Sequence, residues 1–179
     1  MKNNLSFCVA AICLVFLING CNTPSTSAVV IPDAIKVEPN EMLIYTAKAT
    51  GVQIYRCDSI GPDKYAWVNN RPEAVLYDEN GKKIGMHYKS TGVAWELAAD
   101  KSIVIGKKLK ESPVTGAIPW LLVDTIGHAG NGILSRVTKI QRVSTEGGLA
   151  PEEVADKSKA GKEVRSLYEA TYYFYSIKK

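Results

Sequence analysis

The chain has 179 residues, with 22 lysines and arginines against 18 acids and a formal charge of +4 at neutral pH. That length supports one domain with a substantial core. The mild positive excess is spread along the chain and never gathered into a basic run, which argues against nucleic acid as a partner.

The N-terminus carries the first signal. Lys2 is the only charge among the first twenty residues, and Leu5–Ile18 is an uncharged, mostly aliphatic run. It is too short to cross ~30 Å of hydrocarbon as a helix, which takes about 20 residues, but suits the apolar region of a secretory signal. Ile18-Asn19-Gly20-Cys21 then resembles a bacterial lipobox. Residues 1–20 are therefore expected to leave as a signal peptide, with Cys21 taking a diacylglyceryl group that ties the protein to a membrane. An ordinary secretory signal cut elsewhere is the alternative. Asn22, rather than aspartate, after the lipidated cysteine directs a lipoprotein of a Gram-negative cell to the outer membrane, facing the periplasm. Cys8 and Cys13 leave with the signal, so Cys57 has no partner for an intramolecular disulfide. One cysteine and two histidines also cannot close a structural zinc site without carboxylates, so no metal or cofactor is expected.

Residues 21–40, rich in Pro, Ser, Thr and Asn, read as a lipidated tether, and residues 41–179 as the domain. From Met42 onward, short β-like runs alternate with turn residues. Residues 51–57 set Val52 and Ile54 against Gln53, Tyr55 and Cys57. Residues 72–78 and 82–88 flank Glu79-Asn80-Gly81, and Asn-Gly between such runs predicts a hairpin. Residues 94–97 and 102–107 flank Ala99-Asp100-Lys101, a second hairpin. Strand patterns at 119–126, 136–143 and 168–177 complete the set. Only 151–163 offers weak helical spacing, with Pro151 at a first helical position and acids in the first turn. The expected fold is all-β: a single antiparallel β-barrel or sandwich, with at most one short helix near 151–160.

Several segments in order, "GVQIYRC", "PEAVLYDENGKKIGMHY", "GVAW", "IPWLLV", "VTKIQRVSTEGGLAP" and "YEATYYFY", together resemble an exported bacterial and fungal family called domain of unknown function 3455. The resemblance covers roughly residues 40–176 and implies a fold and a compartment more than an activity. Two departures stand out. Family members often carry a second cysteine in the loop after "GG-AP", whereas residues 150–156 here contain none. They also favour Gly-Pro before the tryptophan that Val93-Ala94 precedes here. A dehydrogenase label attached to some relatives finds no support in the residues. Gly127-His128-Ala129-Gly130-Asn131-Gly132 has the wrong order for a dinucleotide loop and leads into a strand pattern.

Candidate site residues follow from parity and composition. Alternation along residues 83–89 puts Ile84, Met86 and Tyr88 on one face, expected to be core with Trp95. His87 then falls on the opposite, polar face with Lys83, Gly85 and Lys89, where it is either solvated or pocket-lining. His128 sits in a glycine-rich loop, and Glu73, Asp78 or Asp124 are third groups for acid–base work beside a histidine. Nine tyrosines and three tryptophans against three phenylalanines suit surfaces with an apolar body and a polar tip, and Tyr173 and Tyr175 share one face of the last strand. The candidate ligand contacts are thus His87, His128, Glu73, Tyr173 and Tyr175. No nucleophile elbow, His-Glu-x-x-His or P-loop is present. The expected function is a lipid-anchored envelope module that binds a small ligand or a partner without catalysis. A small envelope enzyme using a histidine as acid–base is the second reading.

Overall fold

The alternating runs extend into eight antiparallel strands: β1 (Glu41–Gly61), β2 (Lys64–Tyr77), β3 (Lys83–Lys89), β4 (Val93–Leu97), β5 (Ile103–Val114), β6 (Ala117–Ala129), β7 (Lys139–Gly147) and β8 (Glu163–Ile177). The computed structural model describes residues 29–178, so the expected signal peptide, Cys21 and the first part of the tether lie outside the described residues. Each strand pairs with its neighbours in sequence, and β1 pairs with β8 as well, closing an up-and-down barrel. Closure satisfies both edges of the sheet and decides for a barrel over a sandwich.

Turn chemistry places the strands as the sequence predicts. Gly81 takes φ 77° in the β2–β3 turn, where Asp78 Oδ1 accepts from the backbone N–H groups of Asn80 and Lys82. Lys101 takes φ 57° in the β4–β5 turn. The expected helix near 151–160 shrinks to one 3-10 turn, Lys157–Lys159, capped by Asp156. Its long charged side chains find no apolar face to bury there. Ile133–Arg136, expected to lead straight into a strand, is a 3-10 turn as well.

That second turn closes one end of the barrel. Asp100 Oδ2 accepts from Ile133 N at 2.8 Å, and Ser102 Oγ accepts from Leu134 N at 3.2 Å. Leu134 and Val137 are thereby pressed into a core with Leu97, Val104, Ile140 and Phe174. Small residues on the inner face of β1 make room for large ones from β8: Ala47 opposes Tyr172 and Gly51 opposes Tyr168. Such small-to-large pairing lets side chains fill a narrow interior. At the other end β1–β2 and β5–β6 run on as long hairpins, whereas β3–β4 turns at once through Ser90 to Gly92. The rim is low there, and the barrel opens beside it.

The tether reading needs correcting over its last ten residues. Ile31, Ile35 and Val37 pack on the outside of the wall against Trp120, Leu122, Val143 and Tyr173. Ile35 is wholly buried, and its carbonyl accepts from Gln141 Nε2 at 2.7 Å. Composition pointed to a flexible linker, but three aliphatic residues among the prolines are enough to cover an outer apolar patch. Together they form a strap across β6, β7 and β8.

Candidate functional site

Inside the open end lies a cavity of about 510 Å³, within the ~300–1,000 Å³ usual for small-molecule sites. Residues that face inward by strand register build it. Gln53 and Tyr55 come from β1, His87 from β3, Trp95 from β4, Arg142 from β7 and Tyr172 from β8. His87 and Trp95 are register partners on adjacent strands, as are Arg142 and Tyr172. Their rings form an aromatic floor: His87 stacks on Trp95 with centroids 4.4 Å apart, and Tyr172 meets Trp95 edge-on at 5.3 Å. Gly106 makes that floor possible, because a Cβ there would collide with Val123 and press to 3.1 Å from the Trp95 ring.

The expected parity of β3 is therefore inverted at Met86, His87 and Tyr88, while Ile84 is half-buried against the core as expected. Gly85 and His87 face the interior, His87 with only 3 % of its surface exposed, while Met86 lies on the surface. Tyr88 is half-buried on the outer face, where its hydroxyl donates to Glu96. The physical reason is that this barrel interior is not uniformly apolar: near the mouth it is a cavity, and the polar face of the strand belongs there. Trp95, by contrast, is buried in the core as expected. Burial pushes the His87 imidazole down to about 3, reinforced by the Arg142 charge and partly offset by its bond to Ala94. Nδ1 lies 2.9 Å from the Ala94 carbonyl oxygen. A carbonyl can only accept, so Nδ1 holds the proton of a neutral ring.

Arg142 went unnoticed in the sequence. Its guanidinium donates through Nε and Nη2 to the Pro119 carbonyl at 3.2 and 2.8 Å. Among the described residues no carboxylate lies within ion-pair distance of it. A lone arginine on the Ile140 face of an otherwise alternating strand was the available signal.

The other nominated residues do not join His87. His128 ends β6 instead of standing in a loop; it is exposed, with Nε2 2.8 Å from the Val137 carbonyl oxygen. Three strand spacings separate the histidines, roughly 14 Å along the wall. Glu73 faces outward, in an ion-pair cluster with Arg71 and Arg165 that holds its carboxyl below the usual range. Tyr173 and Tyr175 lie under or beside the strap, and the Tyr175 hydroxyl donates to Gln141 Oε1 at 2.6 Å. Cys57 is a buried, free thiol, with Sγ 3.5 Å from the Asp156 carbonyl. The loop in which relatives often carry a second cysteine thus packs directly over it. Among the described residues no three His, Cys, Asp or Glu side chains cluster to hold a metal ion.

Fold and cavity together define a closed antiparallel barrel with an aromatic, arginine-bearing pocket at one end. The family profile described as protein of unknown function (DUF3455) matches residues 38–176, and the chain belongs to that family. No curated protein and no solved structure matches the chain.

Proposed function

We propose that this protein is a lipid-anchored module of the cell envelope that takes a small ligand into the open end of its barrel. The cavity carries the reading. It is roomy, lined by buried rings and furnished with a few polar groups, the combination that distinguishes small-molecule sites from packed cores. Binding without chemistry is the better reading of the site, because His87, His128 and Glu73 point to three different parts of the barrel.

The neutral fluorophore N-phenyl-1-naphthylamine tests the cavity. Saturable uptake with one site per chain, and energy transfer from tryptophan, is the expected result. Val93, half-buried at the cavity wall, is the place to block it, and Val93→Trp should cut uptake at least tenfold while leaving the far-UV spectrum unchanged. No saturable uptake, or equal uptake by the blocked barrel, would refute the reading.

The anchor rests on Ile18-Asn19-Gly20-Cys21 and has its own test. Wild type should sediment with membranes and Cys21→Ser should be released. Equal partition of the two forms would leave an ordinary secretory signal in place of the lipobox.

A further inference from the structure

We infer that the ligand is a small oxyanion, a carboxylate or sulfonate, carried on a flat unsaturated body. This rests on the cavity reading above and specifies its chemistry. Two polar groups left without a protein partner on residues of the cavity wall are pure hydrogen-bond donors. Trp95 Nε1 and Gln53 Nε2 are buried and unpartnered, on residues no more than 3 % exposed; the Tyr172 hydroxyl is unpartnered too and can donate or accept. Gln53 Oε1 is already used, accepting from Asn69 Nδ2 at 3.0 Å. The indole N–H can only donate, and so can the Gln53 amide nitrogen. Unmet buried donors each cost about 1–3 kcal/mol, so the two held by these cavity-lining residues favour an acceptor that arrives from outside.

Charge gives that acceptor its sign. Arg142 opposes Tyr172 directly in the β7–β8 register and gives both its bonds to a neutral carbonyl. This half-buried guanidinium has no carboxylate partner among the described residues, and its planar fork suits one that a ligand supplies. The approach has the same bias. Of the five cations in the lining, Arg71 is paired with Glu73 and Glu163 and Lys108 with Glu111, which leaves Lys89, Lys107 and Arg142 without a carboxylate partner among the described residues. Such a mouth concentrates anions and speeds their entry. The body of the ligand is set by the floor, where His87, Trp95 and Tyr172 present ring faces and edges that favour a stacked planar group.

One probe pair separates this inference from the reading beneath it. 1-Anilinonaphthalene-8-sulfonate and N-phenyl-1-naphthylamine share a skeleton and differ by the sulfonate. At pH 7 and low salt, wild type should bind the sulfonate at least tenfold tighter than the neutral probe. Arg142→Met should bring the two to parity while leaving the neutral probe's affinity within twofold. Saturable binding of both probes with no preference for the anion would overturn the oxyanion inference and leave the cavity reading standing. The preference is measured on wild type, so the test survives even if Arg142→Met folds poorly. Binding of neither probe would remove the cavity reading and this inference with it. An anion preference that persists undiminished in folded Arg142→Met would place the anion on the lysine rim and overturn the assignment to Arg142.

Discussion

Trp95→Ala is expected to lower stability by about 3–5 kcal/mol, a large share of the ~5–15 kcal/mol that holds a typical domain together. Trp95 is 1 % exposed and touches three other rings, stacking on His87 and meeting Tyr172 and Phe174 edge-on. It also fills the space that Gly106 leaves open. Truncation would leave a void beside the cavity already present, and strands hydrogen-bonded on both sides can collapse only slightly to close it. Denaturant melts of wild type and variant check the figure. A loss under about 1 kcal/mol, with probe uptake abolished, would mean that the tryptophan serves the ligand rather than the core.

The second large effect is an acid sensitivity set by one histidine. Folding holds the His87 imidazole near 3, against about 6.5 in an unfolded chain. The unfolded state therefore takes up the proton first. Its neutral, buried form contributes stability that is complete above about pH 6.5, is lost as pH falls towards 3, and declines no further below that. The limiting slope is about 1.4 kcal/mol per pH unit. Between pH 6.5 and 5, above most carboxylate titrations, wild type should lose roughly 1.5 kcal/mol that His87→Phe does not lose. Parallel melts across that window decide it, and equal slopes would mean that the ring is hydrated and free to protonate in the fold. A surface histidine would make His87→Ala nearly silent; the stacked, buried ring makes it costly instead.

The strands and turns were legible because they rest on local chemistry. Asn80-Gly81 supplies the positive φ its turn requires, and the alternating runs need only period two to declare themselves. The faces of the strands were less so. Apolar-in, polar-out is a rule for packed cores; it assigned Tyr88 to the interior and left His87 on the polar face, solvated or lining a pocket. A barrel whose upper half is hollow reverses it, and nothing within residues 83–89 says whether the space they face is full. Arg142 was hidden for the same reason. Its role exists only through Tyr172 and Pro119, 30 and 23 positions away in the chain. The strap was missed because Ile31, Ile35 and Val37 sit among prolines and serines, and the patch they cover is assembled from strands over eighty residues further on.

The pairing of β1 with β8 also has a consequence in time. These two strands match from Glu41 with Ile177 to Arg56 with Glu163, so the barrel cannot close until its last strand is available. Contacts of such sequence separation make folding slow, in the millisecond-to-second range for barrel-like domains. The architecture itself imposes that delay, because any length of chain that lacks β8 is an open sheet missing one wall. The pocket obeys the same schedule: Gln53 and Tyr55 stand on the first strand and Tyr172 on the last. The cavity is complete only after the last strand has been made.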